Sequence, residues 1–194
     1  MSISLPSNLI ISNVTLSHNT PTYYSESLDF KSKSVDRGIH RLEGTIDVTT
    51  NNNAEKRALE AFMLKVRGRA NPFYIDLPDR FKSNTVISAN ISTNVAGNPG
   101  DNTIAVGAFI GNISAGDMFT ILNDNKTYVV LDDKLPGAGL INIYPPLRKG
   151  FVSGTPLDFN TNKIYARFRQ DTQTISYTNG GLIHTSTLAW MEAM

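Results

Sequence analysis

The 194-residue chain contains no cysteine. That removes disulfide frameworks, thiolate metal sites, iron–sulfur clusters and a cysteine nucleophile from the possibilities. It also lacks a dominant sign of charge: 18 Lys and Arg against 17 Asp and Glu leave a formal net charge of +1. No global field would draw it onto a nucleic acid or an anionic membrane, so recognition is expected to rest on shape, with no specific nucleic acid and no membrane as partner. No apolar run reaches the roughly 18 residues of a membrane span, and MSISLPSNLIISNVTLS has neither the basic start nor the unbroken apolar stretch of a secretory signal. The chain reads as soluble.

Catalytic patterns are missing too. His18, His40 and His184 are far apart with no zinc-ligand spacing. No G-x-S-x-G occurs. GNISAGD, residues 111–117, has the glycine spacing of a phosphate loop, but Asp117 stands where the lysine belongs and would repel phosphate, so it reads as a turn. Glu26, Glu43, Glu192, Asp132 and Asp133 could supply a hydrolytic carboxylate pair, although Asp132 and Asp133 read more simply as the end of a hairpin. Tyr165 and Phe168 near Arg167 could stack on single-stranded bases, a use the balanced charge disfavours. The expectation is a protein that is not an enzyme and needs no cofactor.

What is present is mostly strand pattern. In RLEGTIDVT, Leu42, Gly44, Ile46 and Val48 share one face at period two. One helix stands out near residues 54–67, with Ala58, Leu59, Phe62, Met63 and Val66 on one stripe and Glu55, Lys56, Glu60 and Lys65 toward water. Asn52 with Glu55 predicts a capping box, and Gly68 suits the left-handed position after the last turn. RANPFYIDLPDRF reads as a strand interrupted by Pro72 and Pro78.

After the break NVAGNPGDN come NTIAV, DMFTIL, KTYVVLD, LINIYPPL and TPLDF, separated by glycine-containing turns. They predict a small β-barrel module over 85–159, inserted into a ring-forming β-barrel domain made of 1–84 and 160–194. The last part includes an Asn-Gly-Gly turn and reads as a hairpin closing the first sheet. The fold expected is mainly β: a split β-barrel or sandwich with one amphipathic helix and an inserted small β module.

Between the first strands, TPTYYSESLDFKSKSVDRG is polar and Ser-rich, a long loop that would order against a neighbour. Tyr23, Tyr24 and Arg37 in it are subunit-interface candidates, together with Arg67, Arg69, Arg167 and Arg169, which would form one patch if the closing hairpin lies near the helix end.

The order RLEGTI, EKRALEAFMLKVRGR, NPFYIDLPD, followed by GDNTIAV, AGDMFTI, TYVVLDD, LINIYPPLR and the closing LAWMEA, resembles the distal tail proteins of long-tailed bacteriophages. That resemblance implies a virion structural protein, assembled in the host cytoplasm, forming a six-fold homo-oligomeric ring at the end of the tail. Its implied partners are the tail tube protein, the tip or baseplate hub, and tail fibres. The polar arm from Thr20 to Gly38 would cross to a neighbouring subunit. The alternative is a host-surface carbohydrate-binding tail module, with Tyr128, Tyr144 and Phe151 as its first candidates.

Overall fold

The computed structural model describes residues 3–76, 83, 87, 91–175 and 184–194. The fold is mainly β, with several sheets and, among the described residues, one helix. Pro78 and the Asn-Gly-Gly turn lie outside the described residues. No helix is long and apolar enough to cross a membrane among those described.

The chain divides into two compact units: one of 1–17, 42–79 and 163–194, the other of 18–41 and 80–162. The segment 18–41 therefore groups with the residues of the expected insertion, whereas the sequence reading assigned it to the first domain.

The first unit is built on a six-stranded sheet. Its strands are β1 (Ile3–Ser4), β2 (Ile10–Asn19), β5 (Arg41–Thr50), β6 (Phe73–Asp76), β12 (Lys163–Phe168) and β13 (His184–Glu192), in the order β1-β6-β12-β13-β5-β2. Alternation in β5 sends Leu42, Ile46 and Val48 into the core, as the period-two pattern predicts. Gly44, on the same face, leaves room for backbone: a Cβ there would meet Thr15 O at 1.9 Å and Trp190 at 3.1 Å. β12 and β13 pair antiparallel, Phe168 opposite Trp190.

The helix α1 (Asn53–Val66) begins at the predicted cap. Glu55 N donates to the Asn52 side chain at 2.8 Å, and Asn51 N donates to Glu55 Oε2 at 2.6 Å. Leu59, Phe62 and Val66 are buried, but Lys56 is buried as well instead of facing water. Residue 56 falls one turn before Leu59 on the same stripe, so helix geometry carries its apolar stem inward. Phe62 meets Phe73 edge-on at 5.2 Å, and Phe73 meets Phe168 at 4.9 Å, which locks the helix to the sheet through aromatic packing. The left-handed position after the helix is taken by Arg67 (φ 55°), and Gly68 follows at φ 62°.

The second unit holds a five-stranded sheet made of β7 (Thr103–Val106), β8 (Met118–Ile121), β9 (Thr127–Val130), β10 (Gly139–Tyr144) and β11 (Leu157–Asp158), in the order β11-β8-β9-β10-β7. Its core includes Phe119, Tyr128, Ile141 and Phe159, with the Phe119 and Phe159 rings stacked at 4.8 Å. Each run predicted in the module supplies one of these strands.

No sheet closes into a barrel among the described residues: the fold is mainly β as expected, but the six-stranded and five-stranded sheets are open, which corrects the barrel expected for each part. In the module, single bridges from Thr93 to Val106 and from Ser92 to Pro156 link the two edges without a continuous strand. Beside the second bridge, Thr93 N donates to Thr155 O at 3.0 Å and Leu157 N to Ile91 O at 2.8 Å.

Candidate functional site: an exposed hairpin arm

The segment expected to be a long loop is a hairpin. β3 (Thr22–Glu26) and β4 (Ser32–Asp36) form a two-stranded antiparallel sheet with Tyr23 opposite Val35 and Glu26 opposite Ser32. Thr22, Tyr23 and Tyr24 on one side and Val35 on the other are good strand formers, and Tyr23 and Val35 sit symmetrically about the centre of the segment. That symmetry was the available signal. It was masked because the turn contains none of the glycine or asparagine that marks a hairpin.

The turn is Ser27–Lys31. Ser27 N donates to Lys31 O and Phe30 N donates to Ser27 O, both at 3.0 Å. This geometry requires a left-handed residue, and that residue is Phe30 at φ 58°. An L-residue with a bulky side chain costs roughly 1–2 kcal/mol there. Burial does not offset it within this chain, since Phe30 is 87% exposed and its neighbour Leu28 is fully exposed.

Every residue of β3 and β4 is exposed. An isolated two-stranded hairpin is marginal in water, because it gains few cross-strand contacts for the backbone entropy it loses. Local contacts hold this one: the Arg37 guanidinium lies over the Tyr23 ring at 4.9 Å, and Tyr24 Oη donates to Glu26 Oε2 at 2.6 Å. The arrangement presents aromatic and aliphatic side chains, with charged residues among them, on a narrow arm.

At the base of the arm His40 is buried. Lys126 Nζ donates to His40 O at 3.0 Å and lies 3.2 Å from His40 Nδ1. An ammonium can only donate, so Nδ1 accepts and the proton of His40 sits on Nε2, directed at His18 Nδ1 2.9 Å away. The Tyr144 ring packs edge-on against His40 at 5.3 Å. Burial, then the Lys126 charge, then His18 lower the His40 pKa to about 4, so it is neutral at pH 7. The fold thus brings together two of the three histidines that sequence spacing left apart, and both His40 ring nitrogens are engaged. His184 lies on β13 opposite Thr50.

Of the predicted interface residues, Tyr23, Tyr24 and Arg37 share the arm. In the first unit, Arg167 Nη1 donates to Arg69 O at 3.2 Å, while Arg69 Nε lies 3.9 Å from Asp171. Arg67 borders the same helix end, beside a groove lined in part by Met63, Leu64 and Asp171. Arg169 is directed instead to Glu43, at 3.8 Å.

The suggested sugar-binding aromatics form no platform. Tyr128 is fully buried in the module core, Tyr144 packs on His40, and Phe151 packs partly buried against Gly97 and the core. Phe168 is likewise core, which removes it as a base-stacking surface. Among the suggested carboxylates, Asp132 accepts from Asn142 at 2.6 Å and Asp133 from Ala115 N at 2.8 Å. Glu192 accepts from Leu42 N at 3.1 Å. Asp117 accepts from Ser114 N at 2.9 Å and closes the turn predicted for that loop.

Comparison with protein-family models and with curated proteins found no match.

Proposed function

We propose that this chain is a non-enzymatic structural protein of a bacteriophage virion, forming a ring at the distal end of the tail and joining the tail tube to the tip or baseplate hub. The observation that carries the assembly part of this reading is the arm from Thr22 to Asp36, with Leu28 and Phe30 exposed at its tip and Phe30 held in a left-handed conformation. Strain without local benefit is expected where a partner supplies the benefit. The resemblance along residues 41–194 supplies the tail part.

In this reading the arm of each subunit engages the next. A head-to-tail contact repeated about an axis closes when its rotation divides the circle, and six subunits is the proposed number. Ordering the arm against a neighbour adds little entropic cost because the hairpin is already formed. The tube protein, the tip hub and tail fibres are the proposed neighbours of the ring.

Light scattering of the purified protein across a concentration series, followed by negative-stain imaging, tests this reading. A closed ring of several subunits is the expected result. A strict monomer that stays monomeric when mixed with tail components would overturn it.

A further inference from the structure

We infer that the arm tip docks into a second copy of this chain, in the groove beside the C-terminal end of α1; this rests on the assembly reading and names the site that receives the arm. The groove encloses about 500 Å³, and Glu60, Met63, Leu64, Arg67, Asp171 and Ile175 line it. Leu64 is 69% exposed, a large apolar residue on a helix surface.

The match is one of pattern. The tip reads Leu28-Asp29-Phe30-Lys31, apolar and charged in alternation with one acid and one base. Along the groove, Glu60, Met63, Leu64 and Arg67 follow at helical spacing, so apolar residues lie between an acid and a base. Leu28 and Phe30 against Met63, Leu64 and Ile175 would remove apolar surface from water, while Asp29 meets Arg67. Asp171 is already engaged by Arg69, through the Arg69 N–H at 3.1 Å and Nε at 3.9 Å, so Arg67 is the cation presented to an incoming acid.

Of the two places, only the tip carries strain without a local reason: the positive φ of Arg67 is the left-handed cap that ends α1, with its N–H donating to Met63 O at 3.0 Å.

A second groove in the first unit, between Leu9, Ile11 and Tyr74, is also apolar, but its charges Asp76 and Lys163 face each other at 3.7 Å. It offers no separate cation for Asp29. A third, in the second unit, is bordered by Leu122 and Val152 with Lys149, and carries no acid-to-base sequence along one element to match the tip.

The chain has no cysteine, so cross-linking is free of background. A Ser27→Cys protein is mixed with a Gln173→Cys protein and treated with a short bis-maleimide; both changes leave the proposed anchors intact. The expected result is a mixed dimer about tenfold above that formed with Ser7→Cys or Ser153→Cys, which report the other two grooves. In parallel, Asp29→Arg and Arg67→Asp are each expected to weaken self-association about tenfold, and their combination to return it to within about threefold of the original. Oligomers that form without the Ser27–Gln173 cross-link, or with a Ser7 or Ser153 cross-link in its place, would overturn this docking site and leave the ring reading standing. No oligomer and no cross-link at any concentration would overturn both.

Discussion

The carbonyl oxygen of Thr15 lies 1.9 Å from where a Cβ of Gly44 would stand, and Thr15 Oγ1 accepts from Thr45 N at 2.8 Å. The edge strand β2 is thus held against β5 at a distance that only glycine permits. Gly44→Ala would push the two strands apart in the middle of the sheet. We expect a loss of about 3 kcal/mol, read as a lowered urea midpoint with unchanged slope. An unchanged midpoint would mean that the strands are not so close.

At the base of the arm, pH dependence follows from His40. Its pKa is about 4 in the folded protein against 6.5 in the unfolded chain, so between these values the unfolded state binds the proton more readily. The contribution of neutral His40 is fully present above pH 6.5 and is lost as pH falls toward 4. Because carboxylates titrate in the same range, the comparison is with His40→Asn. Between about pH 7 and pH 4.5, the original protein should lose about 2 kcal/mol more than the variant. Equal losses would contradict the Lys126–His40–His18 arrangement.

Phe30 separates folding from assembly. Phe30→Gly removes a strained left-handed side chain that the chain itself does not bury, so the isolated subunit should be stabilised by up to about 1 kcal/mol, reduced by the flexibility of glycine when unfolded. Self-association should fall at the same time. Thermal unfolding of dilute protein and light scattering of concentrated protein read the two effects. A variant that is less stable and assembles normally would show that Phe30 serves the fold alone.

The turn between β8 and β9 depends on Asp124. Its carboxylate accepts from Tyr128 Oη at 2.7 Å, from Arg148 at 3.0 Å and from Lys126 N at 3.2 Å. Asp124→Ala would leave a buried hydroxyl and a partly buried guanidinium without their acceptor, and we expect a cost of about 3 kcal/mol. Tyr128→Phe, which removes only the hydroxyl, should cost about 1 kcal/mol. Chemical denaturation of both variants checks the ratio.

Asn52→Ala removes the acceptor for Glu55 N and should cost about 1 kcal/mol, with faster amide exchange confined to the first turn of α1. Uniform exchange through the helix would argue that packing alone defines its start.

The sequence by itself determined the mainly β class, the helix with its capping box, and the strands of the module, because these follow from local periodicity and turn chemistry. It also marked the region of the arm, by polarity, and named Tyr23, Tyr24 and Arg37 within it. The hairpin form was hidden, since a phenylalanine fills a turn position where local propensity favours glycine. Tertiary structure alone decided that Lys56 is buried, that Tyr128 belongs to the core and that the sheets stay open. It also brought His18, His40 and Lys126 together across 108 positions of chain, from residue 18 to residue 126. These outcomes depend on which surfaces meet when distant segments pack, and short-range pattern carries no record of that meeting.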